Sequence, residues 1–195
     1  MRATSHTQKK EPLLEYLLSE MRFRKAVKYI NNDSIVADLG CGYNGNLLRR
    51  VAGKIKIGIG YDVSVTKKGL PKNVTLIKTN LNNSIANRKN YFDVITTLAV
   101  LEHIENPESF LRNAKSMLKN KGRIIITTPH KNGKRVLEFL SLKLDLVSKN
   151  EILDHKNYFD EKILRRLLTK TGFKIIRLHT FEFGWNLFCV AGKTN

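Results

Sequence analysis

Residues 35–45 read IVADLGCGYNG, and the architecture of the rest of the chain can be inferred outward from them. Residues 35–39 are mostly apolar, which is typical of a short buried strand. Gly40, Gly42 and Gly45 follow within six residues, and glycines allow a backbone to turn tightly and to approach a ligand closely. A helix predicted near residues 46–51 would direct free N–H groups at that ligand. The stretch therefore predicts a strand, a ligand-binding turn and a helix in succession.

Short apolar runs alternate with helical patterns along the rest of the chain. The spacing predicts strands over residues 35–39, 55–61, 74–77, 92–97, 123–128, 173–178 and 187–191. Helices are predicted over 107–118 and 160–171, and an N-terminal one follows Pro12 with the apolar face Leu13, Leu14, Leu17, Leu18 and Met21. This alternation predicts an α/β chain with a mostly parallel sheet and helices on both faces. Ligands of such sheets bind at the carboxyl ends of the strands.

Length and composition exclude several classes of protein. The 195 residues amount to about one domain, and 42% hydrophobic with 27% charged residues is ordinary for a globular protein. The longest uncharged apolar run, residues 94–101, is too short to cross a bilayer. Cys41 and Cys189 provide neither a disulfide framework nor a paired metal-ligand spacing, so no metal site is expected. The basic, polar N-terminus has no secretory signal, so a cytoplasmic location is expected.

The charge of the chain is its unusual property. Lys and Arg number 35 and Asp and Glu 17, so the net charge is 35 − 17 = +18. Such a charge attracts nucleic acids, anionic lipids or phosphorylated substrates. The basic residues are spread along the whole chain without a block of five or six, however, and a general Lys-rich bias would look the same. The charge alone therefore identifies no partner.

Two acidic residues favour one cofactor over another. Asp62 stands at the end of the second predicted strand, 62 − 38 = 24 positions beyond Asp38, where an acid accepts hydrogen bonds from ribose hydroxyls. The three glycines formally spell the dinucleotide fingerprint G-x-G-x-x-G, so a nicotinamide dehydrogenase is one candidate. Asp38 argues against it, because a carboxylate beside a pyrophosphate is unfavourable. The same carboxylate suits the amino group or the sulfonium of S-adenosylmethionine.

Several motifs, taken in order, resemble the class I S-adenosylmethionine-dependent methyltransferases, in particular the UbiE/UbiG-like enzymes that act on small molecules or glycan precursors. The matching stretches are Asp38-x-Gly40-x-Gly42, Asp62, Asn80-Leu81, residues 92–95 with 100–104, residues 118–123, residues 154–159 and residues 171–173. The resemblance covers roughly residues 34–191. It implies a Rossmann-like fold with a seven-stranded, mostly parallel sheet whose last strand is reversed.

The resemblance also implies a binding site for S-adenosylmethionine and its product S-adenosylhomocysteine. The residues implied are Asp38, Gly40, Cys41, Gly42, Tyr43, Asp62, Val63, Asn80, Leu81, Leu98 and His103. Two positions depart from the family pattern. Asn44 stands where a third glycine is frequent, and Asn80 stands where an aspartate is commoner. These departures affect the surroundings of the methionine end and of the adenine.

Three histidines are candidates for the acceptor side of the site. A hydroxyl acceptor can need a general base, and His is the commonest one. All three lie in predicted loops near the carboxyl ends of the strands, where ligands are expected to bind. His155 is the first choice as base or acceptor-orienting residue, followed by His103 and His130. Glu102 is expected to cap a helix or to lie in solvent.

The resemblance implies a single methyltransferase domain over residues 1–195. Its expected parts are an N-terminal tail and helix (1–33), a cofactor-binding half (34–128), an acceptor lid (129–158) and a C-terminal helix and hairpin (159–195). The implied reaction is methyl transfer from S-adenosylmethionine to a small-molecule or glycan-precursor acceptor, at oxygen. An anionic glycan or lipid-linked acceptor, with peripheral membrane contact, agrees with the basic charge.

Two other functions stay open. An RNA or protein methyltransferase has the same fold, and the charge of +18 favours it. Against it, residues 97–100 read TLAV where enzymes that flip a base carry an Asn/Asp-Pro-Pro-Tyr motif, so nucleic acid is the less favoured partner. A catalytically inactive, methyltransferase-like binding partner is the alternative of another class, and intact Asp38 and Asp62 argue against it.

Overall fold

The computed structural model of the chain describes residues 13–83, 88–133 and 156–194. Four helices and seven strands lie in these ranges: α1 (Leu13–Val27), β1 (Ile35–Leu39), α2 (Asn46–Val51), β2 (Ile57–Asp62), β3 (Val74–Lys78), β4 (Phe92–Leu98), α3 (Pro107–Met117), β5 (Leu118–Pro129), α4 (Glu161–Lys170), β6 (Phe173–Phe181) and β7 (Asn186–Lys193). Short 3-10 turns, Leu101–His103 and Lys131–Gly133, follow β4 and β5.

The seven strands form one sheet in the order β3-β2-β1-β4-β5-β7-β6. Strands β1 to β5 pair in parallel. Strand β7 runs antiparallel to both β5 and β6, so β6 is parallel to the first five and β7 alone is reversed. This confirms the seven-stranded, mostly parallel sheet with a reversed last strand that the family resemblance implies.

Helices cover both faces of the sheet, each over its own hydrophobic core. One core joins the sheet to α3 and α4 through side chains that include Phe110, Leu111, Ala114, Leu164 and Leu168. The other joins it to α1 and α2 through Ala26, Ile30, Leu47, Leu48 and Val51. The helices on both faces are thereby confirmed. These two layers bury the faces of the sheet. The two edges at which the parallel strands begin and end are therefore left to bind ligands.

Polar side chains start two of the helices at the edge where the parallel strands end. Asn106 accepts a hydrogen bond from the Ser109 N–H at 3.0 Å before α3, and Asp160 accepts one from the Ile163 N–H at 2.7 Å before α4. Such caps satisfy backbone donors that a helix start leaves free. They fix the loops that lead from the strands into these helices, and those loops carry the candidate site.

The N-terminal helix forms, but the apolar face predicted for it is only partly right. Leu17 and Met21 are 49% and 42% exposed, whereas Leu18 and Ala26 are buried against the sheet. Glu20 forms an ion pair with Arg50 of α2, which agrees with this orientation of the helix. Adjacent apolar stripes have similar spacing, so the sequence does not tell which of them faces the core.

Strand β5 starts five residues before its predicted start at residue 123. Phe92 pairs with Leu118, and Val94 pairs with Arg123, so β5 uses five positions where β4 uses two. The difference, 5 − 2 = 3 residues, bulges out of the sheet at its amino edge.

The described ranges contain no helix that is both long and apolar enough to cross a membrane. Residues 134–155, which make up most of the predicted acceptor lid, lie outside the described residues. The predicted division of the chain into parts therefore stays a prediction.

Candidate active site

The glycine turn after β1 is fastened to the end of β2. The backbone N–H groups of Gly40 and Cys41 both donate to the Tyr61 carbonyl, at 2.8 and 3.2 Å. Gly40 has a φ of +83°, and a Cβ there would lie 2.1 Å from a Val100 methyl group. Only glycine combines this backbone conformation with so close an approach. The turn is therefore held between β2 and the segment that follows β4.

Gly42 is the part of the turn that faces open space. Its φ is +70°, and a Cβ built there would meet nothing within 4 Å. The contrast with Gly40 is informative, because no neighbouring atom of the protein requires a glycine at position 42. A backbone that is open on one side allows a ligand to lie directly against it.

Asp62, the last residue of β2, points its carboxylate at this turn. One oxygen accepts the Gly42 N–H at 2.9 Å, and the other accepts the Ser64 N–H at 3.3 Å. A carboxylate has about four acceptor positions. Two of them are used by the backbone, and two are left for a pair of ligand hydroxyl groups.

Asp38, next to the end of β1, is a buried carboxyl group with 3% of its surface exposed. It accepts a hydrogen bond of 2.6 Å from the hydroxyl of Thr96 on β4. Burial raises the pKa of Asp38 to about 7; the Thr96 hydrogen bond opposes this rise and the nearby Asp62 charge adds to it. A cation beside the carboxyl group would favour its ionised form. Asp38 is therefore suited to a positively charged ligand group.

Other predicted cofactor residues surround the turn. The Cys41 thiol is buried, donates to the Gly42 carbonyl at 3.4 Å, and has its pKa raised by burial, so it stays protonated at neutral pH. Tyr43 and Val63 are 45% and 44% exposed. They come directly after Gly42 and Asp62, respectively.

The segment after β3 meets the turn after β4. Asn80 is exposed and Leu81 is buried, and nearby Asn82 accepts a hydrogen bond from the Glu105 N–H at 2.9 Å. Leu98 ends β4 and His103 ends the 3-10 turn after it, both half-buried. The cofactor residues predicted after β3 and β4 thus belong to neighbouring loops.

His130 lies on the other side of this edge, directly after β5. Its backbone N–H donates to the Trp185 carbonyl at 2.7 Å, and it forms a β-bridge with Phe159. Gly133 packs against Trp185 so closely that a Cβ would lie 2.7 Å from the Trp185 carbonyl oxygen. These contacts join the end of β5 to the β6–β7 turn. His155 lies outside the described residues.

Glu102 is buried rather than solvated or used as a cap, so that prediction is wrong. It has 1% of its surface exposed and accepts a hydrogen bond of 3.0 Å from the Thr128 hydroxyl at the end of β5. Its main-chain carbonyl accepts the N–H groups of Lys156 and Asn157. The short 3-10 turn directs the side chain inward, which the sequence pattern does not reveal. Burial raises the pKa of Glu102.

A third buried carboxyl group, Glu182, lies in the β6–β7 turn and was missed by the sequence analysis. It accepts a hydrogen bond from the Asn186 amide and faces the Arg22 guanidinium of α1 at 4.0 Å. Burial raises the pKa of Glu182 to about 7, and the Arg22 charge opposes this rise. The same guanidinium also lowers the pKa of Glu102. Arg22 therefore links the N-terminal helix electrostatically to two buried carboxyl groups.

The β6–β7 turn has an unusual backbone. Glu182, Phe183 and Gly184 follow one another with φ values of 51°, 57° and 84°. The left-handed region is unfavourable for the first two, and such conformations concentrate at functional sites. Phe183 is 88% exposed, and its ring lies 5.5 Å from that of Trp185. No sequence signal links this turn to Arg22, because only the fold brings them together.

Comparison with known sequences gives a match to one protein family. The family model described as a methyltransferase domain matches residues 13–178. A ubiquinone biosynthesis O-methyltransferase of Glaesserella parasuis is 30% identical over 111 residues, 51% of this chain and 47% of that protein. The protein of the same name from Vibrio campbellii is 23% identical over 146 residues, 70% of this chain and 62% of that protein. The chain thus spans about half to three fifths of the length of these two relatives.

Comparison with solved structures supports the fold. A Haloferax volcanii protein described as a methyltransferase, solved with the Trm112 activator, aligns with a TM-score of 0.74 at 12% identity, covering 93% of this chain and 94% of that one. A protein from Listeria monocytogenes described as an S-adenosylmethionine-dependent methyltransferase aligns with a TM-score of 0.69 at 16% identity, covering 91% and 100% of the two chains. At these identities the likeness extends to the fold alone.

The raised pKa of Glu182 makes the stability of the protein depend on pH. Between pH 4.5 and about 7 the native carboxyl group holds a proton that the unfolded chain releases, so stability falls as the pH rises through this window. Glu182→Gln removes the titration. The slope of the unfolding free energy against pH should become less negative by at most about 1.4 kcal/mol per pH unit.

Urea unfolding at a series of pH values measures this slope. Glu161→Gln, at an exposed carboxyl group on α4, is the control and should keep the slope of the wild-type protein. A Glu182→Gln protein with the wild-type slope would show that this carboxyl group does not hold a proton in the native state.

Proposed function

Because the chain belongs to the class I S-adenosylmethionine-dependent methyltransferase family, we propose that it transfers the methyl group of this cofactor to an acceptor molecule. We further propose that the acceptor is a small molecule or a glycan precursor and that the accepting atom is oxygen. The observation that carries the proposal is the joint position of Gly42, Asp62 and Asp38. A backbone open to a ligand, a carboxylate with free acceptor positions and a buried carboxyl group meet at one edge.

The chemistry of these groups fits the parts of the cofactor. Asp62 has acceptor positions for the two ribose hydroxyls, and Gly42 allows the ligand to lie against the turn. Asp38 suits the ammonium end. The remaining binding residues that we propose, around the adenine and the methionine end, are Gly40, Cys41, Tyr43, Val63, Asn80, Leu81, Leu98 and His103.

The reaction demands positioning more than acid catalysis. The cofactor supplies a methyl group on a sulfonium, whose sulfur–carbon bond breaks as the bond to the acceptor oxygen forms. Residues around the acceptor must hold its oxygen in line, about 3 Å from the reacting carbon, and exclude water. The acceptor's hydroxyl proton must pass to a base, for which we propose His155, then His103 and His130.

The acceptor class is supported by charge and by sequence. Lys131 and Lys156, two cations of this edge, are paired with Asp160 at 2.8 Å and Glu105 at 2.7 Å. These two cations are therefore paired with carboxylates of the chain itself and are not available to a polyanionic acceptor. The two relatives are named O-methyltransferases of ubiquinone biosynthesis, which supports oxygen as the acceptor atom.

The cofactor assignment predicts a specific pattern of ligand binding. Isothermal titration should detect S-adenosylmethionine and S-adenosylhomocysteine, whereas NAD should give no signal. Asp62→Ala should weaken binding at least tenfold, because charge-assisted hydrogen bonds contribute roughly 1.5–3 kcal/mol. Asp33→Ala removes an exposed carboxylate at the opposite edge and should bind like the wild type. NAD binding without a response to S-adenosylhomocysteine would overturn the assignment. Unchanged affinity of Asp62→Ala would show that the ribose does not bind to this carboxylate.

The buried carboxyl group of Asp38 predicts a pH dependence of cofactor affinity. Its pKa is raised to about 7, so below pH 7 the proton must leave before the carboxylate can pair with a cation. Affinity for S-adenosylhomocysteine should rise from pH 5.5 to 7, a range in which an α-amino group with a pKa of about 7.7–8.0 stays charged. Asp38→Asn should bind weakly with no such rise. A wild-type affinity that is flat over this range would contradict the role of Asp38.

The acceptor class is tested by transfer of labelled methyl groups. We expect incorporation into a hydroxylated small molecule or a glycan precursor from an extract that has been separated by size, and none into bulk RNA or protein. Stoichiometric methylation of one RNA position would overturn the small-molecule proposal. Cofactor binding without transfer to any fraction would favour the inactive binding partner.

A further inference from the structure

The opposite edge of the sheet, where the parallel strands begin, carries a groove that the proposed reaction does not use. Its volume is about 410 Å³. The start of β1, the residue before β2, the start of β4 and the bulge of β5 form its walls. The lining residues are 31–35, Lys56, Asp93, Val94 and 119–123.

Positive charge dominates this groove. Lys56, Lys119, Lys121 and Arg123 face only two carboxylates, Asp33 and Asp93. Asp93 is already paired, because it accepts the Ile35 N–H at 2.8 Å and both of its oxygens accept hydrogen bonds from Lys119, at 2.9 and 3.0 Å.

Three cations remain without an acceptor. Within the part of the chain that the structure describes, the side chains of Lys56, Lys121 and Arg123 form no hydrogen bond or ion pair. Asp33, the other carboxylate of the groove, forms no ion pair with them, and Asp38, Asp62, Glu102 and Glu182 belong to the other edge. With four cations and two carboxylates in its lining, the groove is a cationic site with a net charge of 4 − 2 = +2.

The shape of the bulge keeps these cations at the groove. The three extra residues of β5 require a tight turn, in which Lys121 has a φ of +66°. Gly122 is enclosed, since a Cβ there would lie 2.9 Å from the Lys119 carbonyl oxygen and 3.1 Å from that of Phe92. A turn fixed by these backbone contacts keeps the backbone of Lys121 and Arg123 beside the groove.

We propose that this groove binds the phosphate groups of a small, diphosphate-bearing anion. From β2 to β5 it crosses three strand spacings, or about 14 Å, which is wide enough for two adjacent phosphates and too narrow for a long polyanion to be enclosed. Arg123 provides a planar fork for phosphate oxygens, and Lys56 and Lys121 provide point charges. The lining contains no aromatic side chain on which a base could stack, so the groove recognises phosphate rather than a nucleobase.

The groove is a second site, independent of the cofactor edge. Lys56 and Asp62 are six residues apart along β2, which corresponds to about 20 Å. A ligand in the groove therefore touches neither the glycine turn nor the acceptor side. The inference goes beyond the proposed function, and failure of one leaves the other intact.

Binding of sodium pyrophosphate, measured by isothermal titration at low ionic strength, tests the proposal. Lys121→Gln/Arg123→Gln should lose at least tenfold in affinity. The matched control, Lys162→Gln/Arg166→Gln, removes one Lys and one Arg from the exposed surface of α4 and should change affinity less than twofold. Lys56→Gln, at an exposed side chain, provides an independent variant in case the double variant unfolds. Circular dichroism of each variant checks that the fold is retained.

The outcomes separate the possible sources of phosphate. Equal losses of pyrophosphate affinity in the groove and control variants would show that binding depends only on the overall charge of the chain, and would overturn the proposal. Absence of pyrophosphate binding by the wild-type protein would also overturn it. Tight binding of a 12-nucleotide RNA that pyrophosphate cannot displace would overturn it in favour of a nucleic acid. Displacement of that RNA by pyrophosphate, with loss of both in the groove variant, would support it.

Discussion

The hydrogen bond from the Gly42 N–H to the Asp62 carboxylate is the interaction on which the candidate site depends. It joins the turn after β1 to the end of β2, and the contacts of Gly40 and Cys41 with the Tyr61 carbonyl reinforce it. The parallel register pairs Asp38 with Gly60 and so aligns the two strand ends. The open backbone of the turn and the carboxylate beside it therefore cannot move independently.

How much of the candidate site could be predicted from the sequence depends on how far apart its residues lie along the chain. The glycine turn and the acids around it lie within 28 consecutive residues, 35–62, so strand ends and motif spacing suffice to find them. Arg22 and Glu182 are 182 − 22 = 160 positions apart, and Glu102 lies between them along the chain. Only the packing of α1 against the sheet reveals this cluster. Leu17 and Met21 were placed on the buried face of α1 for a related reason, because burial depends on the surface that a helix packs against. The roles of the three histidines stay predictions.

The fold separates charges that are mixed along the chain. The edge with the carboxyl ends of the strands gathers the buried acids Asp38, Glu102 and Glu182 together with Asp62, and two of its cations, Lys131 and Lys156, are paired. The amino edge gathers cations from segments that are far apart, such as Lys56 and Arg123. A parallel sheet makes this separation possible, since all strand ends meet at one edge and all strand starts at the other. A net charge of +18 is thus compatible with an acidic binding site for a cationic cofactor.

A crystal structure of the protein grown with S-adenosylhomocysteine tests the central claim most directly. We expect the ribose hydroxyls within about 3 Å of the Asp62 carboxylate, as hydrogen bonds between oxygens require. We also expect the ligand against the Gly42 backbone and its ammonium group on the side of Asp38. A ligand bound elsewhere, with the Asp62 carboxylate in contact with protein groups alone, would contradict the account.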